Sequence, residues 1–121
     1  MENDIENKKE KALTAAEEWL QLVDSGNYTQ SWEEASLLFQ GSIEKVQLEQ
    51  QLRGVRNPLG ALKTRKAESS EYYTTLPGAP DGEYVVIRFL SSFEHKKEAV
   101  ETVTPALDED GNWRVSGYYI R

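Results

Sequence analysis

The sequence predicts an α+β domain, with about three N-terminal helices packed on a curved four-stranded antiparallel sheet. Three observations carry that prediction. Apolar residues recur at helical spacing between Leu13 and Val55. From Ala61 onward the texture changes to strand-like runs. Most of those runs are joined by turns short enough to force their neighbours antiparallel.

Residues 1–12 read as a polar tail, and residues 13–121 as one α+β domain without repeats or a linker. Leu13, Ala16, Leu20 and Val23 form a helical stripe that Trp19 and Leu22 widen. Thr14 and Glu17 fit a capping box, so this helix is expected to start there or about a turn earlier. Gly26 ends it, because glycine enters the left-handed region without a steric penalty. A second helix is expected over Tyr28–Phe39, with Asn27 as its N-cap and Tyr28, Trp32, Ala35 and Phe39 on one face. Gly41 stops that helix and Ser42 caps a third. The third carries Ile43, Val46, Leu52 and Val55, and Asn57-Pro58 closes it, since a residue before proline avoids the helical region.

Four strands follow. The first spans about Leu62–Leu76 and is poorly patterned. The stretch Pro77–Gly82 is rich in turn residues. Strands Glu83–Phe93, Glu98–Leu107 and Trp113–Ile120 come next, joined by turns at 94–97 and 108–112, the latter with Gly111 suited to positive φ.

Tight turns imply a register. Phe89 is expected opposite Thr102, Ile87 opposite Thr104, and Thr102 opposite Tyr118. One face then carries Val85, Ile87, Phe89, Phe93, Val100, Thr102, Tyr118 and Ile120. The other carries Tyr84, Val86, Leu90, Val103, Leu107, Trp113, Val115 and Tyr119, with Arg88 diagonal to Glu101. Both faces are largely apolar, whereas a sheet with one wet face alternates more cleanly. Helices can cover one face. A curl of the sheet, the tail or a second copy of the chain has to cover the other.

Composition narrows the function classes. The 121 residues hold 14 Lys+Arg against 21 Asp+Glu, a net charge of −7. Sequence-independent nucleic-acid binding and attachment to anionic membranes are disfavoured by that charge. Without cysteine there are no disulfides, thiolate nucleophiles or cysteine metal sites. No apolar run approaches the roughly 20 residues of a membrane span. The N-terminus shows no apolar stretch of a signal peptide. A cytoplasmic protein fits that start, and so does a mature segment whose export signal has been removed.

Individual residues offer little chemistry. His95, the one histidine, lies in a turn beside two lysines, with no local nucleophile or orienting carboxylate. Asp108, Asp110 and Asn112 resemble the start of a calcium loop, but Gly111 comes one residue early and no distal glutamate follows. A hairpin turn explains them better. Glu17 and Glu18 follow a capping pattern. Trp19, Tyr28, Trp32 and Phe39 read as core aromatics. The candidate ligand contacts are Arg88, Glu101, Tyr119, Tyr84 and Trp113, with a cavity expected between helices and sheet near the first three. No catalytic motif, metal site or cofactor is expected.

The segments Ala15–Leu20, Tyr28–Trp32, Pro58–Gly60, Leu76–Val85, Glu101–Thr104 and Gly111–Tyr118 in combination resemble a bacterial family catalogued as domain of unknown function 4019. The resemblance covers roughly residues 13–121. It implies a helices-then-curled-sheet fold similar to cystatin-like or nuclear-transport-factor-2-like domains, and export to a periplasmic or secreted location. That superfold hosts enzymes, ligand binders and dimerisation modules, so function does not follow from it. The expectation is a non-enzymatic binding or interaction module, homodimeric through the open sheet face or bound to another protein. The alternative is a small-molecule pocket protein or enzyme of the nuclear-transport-factor-2-like type.

Overall fold

In the computed structural model, which describes residues 2–121, helix α1 spans Glu2–Asp24. The stretch read as a polar tail is therefore three turns of helix. Helix-forming Glu and Lys dominate it, with Asp4–Lys8 and Glu6–Lys9 at helical spacing. Lys8 also reaches back to the sheet, where its Nζ lies 2.6 Å from Glu83 and 5.4 Å from the Tyr72 ring centre. The polar texture hid the helix because this segment extends past the core and needs almost no apolar stripe. Thr14 sits inside the helix, donating its hydroxyl to the Glu10 carbonyl at 3.1 Å, so the expected capping box does not form.

The expected second helix is two short ones, α2 (Tyr28–Glu33) and α3 (Leu37–Ser42). Ser36 breaks them apart: its side chain caps α3 by accepting from the Phe39 amide, and its own amide donates to Val115 on the sheet. Asn27 stands at the N-cap of α2 but its side chain makes no cap bond. Helix α4 (Lys45–Leu59) starts at Glu44, which forms a capping box with Gln47, rather than at Ser42. It also runs past Asn57. Pro58 lies in the last turn, where its missing N–H costs only one bond, and Gly60 ends the helix.

The sheet is a meander in the order β1 (Leu62–Tyr73), β2 (Tyr84–Phe93), β3 (Lys96–Leu107), β4 (Trp113–Ile120), with every neighbour antiparallel. Its register departs from the expected one by a residue. Phe89 faces Glu101 and Ile87 faces Val103, because the turn between β2 and β3 is only Glu94-His95 and a bulge follows it. Between β3 and β4 the expected register holds beside the hairpin, where Pro105 faces Val115. A bulge at Ser116-Gly117 then shifts it, so that Thr102 faces Tyr119 and Val103 faces Tyr118. Glycine inside a strand is a common marker of such a bulge. Two further bulges interrupt the pairing of β1 with β2. Bulges raise local twist and bend, and the sheet curls.

These shifts re-sort the two faces. Val103, Leu107, Trp113 and Val115 turn toward the helices, together with Val85, Ile87 and Phe89. There they pack on Ala12, Ala16, Trp19, Leu20 and Val23 of α1. Burying each of the larger side chains contributes roughly 1.5–3 kcal/mol. Trp19 is the hub: its Nε1–H donates to the Ser31 carbonyl at 2.9 Å, and its ring lies 5.2 Å from Tyr118 and 6.5 Å from Phe39. Val100 and Thr102 instead lie on the open face with Val86, Leu90 and Tyr119. The loop after β1 covers one end of that face. Tyr84 is buried there and donates its hydroxyl to the Pro80 carbonyl at 2.5 Å.

Gly60 is held by geometry rather than by preference. Its φ of +74° and ψ of −159° are open to glycine almost alone. A Cβ there would sit 2.6 Å from Glu94 Oε1 and 2.9 Å from Glu94 Cβ. Gly60→Ala is expected to cost about 1–3 kcal/mol. Gly41→Ala, with open space around it inside α3, should be neutral or stabilising by up to about 1 kcal/mol. Urea unfolding of both variants checks this, and equal midpoints for the two would refute it.

Candidate functional site

Glu101 occupies the centre of the helix-facing side of the sheet and is 0% exposed. It sits there because Ala99 and Val103, two residues either way, point into the same core. A carboxylate in that position needs partners, and the three other strands supply them. Arg65 of β1 donates through Nε to Oε1 at 2.8 Å and through Nη2 to Oε2 at 3.2 Å. Ser91 of β2 donates to Oε1 at 2.5 Å, and Tyr118 of β4 to Oε2 at 2.5 Å. Arg65 also bonds Asp24, the last residue of α1, at 2.7 and 3.0 Å. Arg56 of α4 completes the chain with a bond to Asp24 at 2.8 Å.

Two carboxylates and two guanidiniums thus tie α1, α4 and all four strands together. The Arg56 side chain is 5% exposed, and its Nε and Nη1 have no hydrogen-bond partner among the described residues. The Phe93 ring lies 4.8 Å from its guanidinium carbon, an arrangement in which the ring face attracts the cation. Burial works to raise the Asp24 pKa, but the bonds from Arg65 and Arg56 outweigh it and hold the group below its ordinary value. Burial, and then the neighbouring Glu101, push the Tyr118 phenol far above its ordinary value. Tyr118 therefore keeps its proton and serves as a fixed donor.

Above Tyr118, between α4 and β4, lies a cleft of about 330 Å³. Phe39, Leu48, Leu52, Val55 and Ile120 give it apolar walls, and Gln51 and Tyr119 stand with them. Val55 is 41% and Tyr119 52% exposed, so apolar surface continues out of the cleft onto the rim. The β4 bulge creates this arrangement by turning Tyr118 inward while Tyr119 stays outside.

The five candidate contacts do not converge. Glu101 lies in the core, and Trp113 is buried on the helix side, lining a separate hollow with Trp19 and Arg114. Arg88 and Tyr119 lie on the open face, while Tyr84 is sealed beneath its loop. Arg88 is not the partner of Glu101. The one-residue register shift places it on the opposite face, 3.6 Å from Glu71. Asp24, Arg56, Arg65, Ser91 and Tyr118 were missed as a group. Arg56 carried a readable signal, since it continues the buried stripe of Leu48 and Leu52 at i, i+4 spacing.

The remaining motifs lie in the two hairpin turns. Arg114 lies 2.9 Å from both Asp108 and Asp110, so a cation from the chain itself engages the carboxylates of the hairpin turn. His95 lies in the β2–β3 turn, its amide bonded to the Leu59 carbonyl and its ring 63% exposed. Among the described residues, no helix is long and apolar enough to cross a membrane.

Fold and site together define a class: an α+β domain whose helices pack on one side of a curled meander, with an apolar cleft at the last strand and an ionic knot beneath it. The chain belongs to a protein family of unknown function, DUF4019, whose model matches residues 15–118. A comparison with curated protein sequences gives no match.

Removing one partner from a buried ion pair leaves a charge uncompensated, so Glu101→Ala is expected to cost about 3–5 kcal/mol. Tyr118→Phe, which deletes only a donor to that carboxylate, should cost about 1–3 kcal/mol. Chemical denaturation ranks the two, and a reversed order would contradict the knot.

The lowered pKa of Asp24 adds a pH dependence. Its contribution is complete above its ordinary value of 3.8 and is lost as pH falls through the lower folded value. Urea midpoints between about pH 6 and pH 2 should fall less steeply for Asp24→Asn than for the parent. Parallel profiles would rule this out.

Proposed function

We propose that this protein is a non-enzymatic binding module, and that its α4–β4 cleft seats an apolar group of a ligand or partner. The observation that carries this reading is the cleft itself: about 330 Å³, walled by carbon, with Val55 and Tyr119 exposed at its rim. That volume lies at the small end of the roughly 300–1,000 Å³ of ligand pockets, suited to a side chain or a compact apolar ring. The polar groups behind it support binding over catalysis. Tyr118 is committed to Glu101, and Glu101 to Arg65 and Ser91, so each has a fixed structural partner. A general acid or base needs a pKa near the working pH, and burial moves Tyr118 away from that range.

The alternative is a small-molecule pocket protein or enzyme of the nuclear-transport-factor-2-like type, which would use the same cleft. What favours it is the placement of Tyr118 on the cleft wall with Glu101 directly behind.

A neutral fluorophore such as N-phenyl-1-naphthylamine tests the cleft. It should bind the parent protein with enhanced, blue-shifted emission. Val55→Trp, which fills the exposed rim, should weaken binding at least about tenfold while leaving the unfolding midpoint unchanged. Tyr118→Phe should retain it. If probe affinity is indifferent to Val55→Trp, the cleft is not the binding site.

A further inference from the structure

The open face of the sheet carries a second pattern, which meets the cleft only at Tyr119. One row crosses all four strands as Lys66, Leu90, Val100 and Arg121. The next runs Ser69, Arg88, Thr102 and Tyr119. Leu90 is 46% and Tyr119 52% exposed, so two large apolar side chains meet solvent on this face, with buried Thr102 between them. Beside Leu90 and Val100 a shallow groove of about 440 Å³ is bordered by Lys66 and Lys97.

Cations border this apolar strip on a chain whose net charge is −7. Lys66, Lys97, Arg88 and Arg121 stand around it, against the carboxylates Glu98 on the groove and Glu71, which Arg88 already engages. Lys66 and Arg121 are exposed at its two ends. Helices cover the other side of the sheet, and the loop after β1 packs at the Tyr84 end of this face.

We propose that this face docks an acidic amphipathic segment of a partner protein, its apolar side on Leu90, Val100 and Tyr119 and its carboxylates against Lys66, Lys97 and Arg121. Charge complementarity selects that occupant. Two copies joined face to face through this surface would set one cationic border against another, which costs energy at close range. An extended anionic membrane would meet the field of the whole acidic chain, whereas a docked segment meets only these rows.

The test uses two labelled peptides of one Leu pattern at helical spacing, one with Glu and one with Lys at the polar positions. Fluorescence anisotropy should show the Glu peptide binding and losing affinity as salt is raised. The double variant Lys66→Glu, Arg121→Glu should weaken it about tenfold, two exposed charges each being reversed. Leu90→Ser should weaken it as well. Val55→Trp should leave it unchanged, which separates this face from the cleft. All the altered side chains are exposed, and circular dichroism confirms folding. Equal binding of the Lys peptide, or indifference to charge reversal, overturns the proposal. So does concentration-dependent dimerisation in sedimentation that Leu90→Ser abolishes, or binding of phosphatidylglycerol vesicles in place of the peptide.

Discussion

The fold turns on one buried carboxylate. Glu101 stands in the middle of an apolar layer, and the chain is arranged so that this charge is never alone. Arg65 covers it from the first strand, Ser91 and Tyr118 bond it from its two neighbours, and Asp24 with Arg56 brings in both long helices. Desolvating four charges is expensive, and such a set adds less to net stability than apolar residues of equal volume. Its stronger effect is on uniqueness. Sliding β3 by one residue against β2 would turn Glu101 out to solvent and Val103 away from the helices, leaving Arg65 buried without its partner. The register that survives is the one that keeps the ionic knot closed.

The knot also depends on irregular pairing. An uninterrupted β4 would place Val115 and Tyr119 on one face and Tyr118 on the other. The bulge at Ser116-Gly117 reverses that, so Tyr118 turns inward and bonds Glu101 while Trp113 and Val115 still point into the core. The same displacement holds Tyr119 at the edge, where the cleft and the open face meet. One inserted residue therefore serves the core, the cleft and the outer surface together.

Much of this architecture was legible in the sequence, and the parts that were not have physical reasons. Helical stripes, turn residues and the four strands gave the fold class, because periodicity reports burial directly. Helix α1 was cut short because its first turns bury little. Residues 28–39 read as one helix because Ser36, a cap with a tertiary bond to Val115, looks in sequence like any helix-tolerated serine. Register failed by one residue between β2 and β3 and in the far half of β4, since a bulge leaves little mark beyond a glycine such as Gly117. That single error paired Arg88 with Glu101 and concealed Arg65. The apolar neighbours Ala99 and Val103 were already in view, and alternate residues share a face. They imply a buried Glu101, which calls for a cation from a strand still more distant in sequence.

The division between inside and outside bears on function. Among the described residues, the four charges of the knot are matched two against two, so the knot presents no net charge to the cleft. The cleft inherits that neutrality: its floor is a tyrosine that cannot easily lose its proton, and its walls are carbon. If the cleft binds as proposed, its selectivity rests on shape and on the exclusion of charge, since an ion entering would surrender its hydration with no unpaired counter-charge to meet it. The open face follows the opposite logic. Its cations lie at the surface, where solvation is retained and long-range attraction still acts over about 8–10 Å. On the proposed reading, an apolar cleft would discriminate by fit and, joined to it through Tyr119, a charged strip would discriminate by sign.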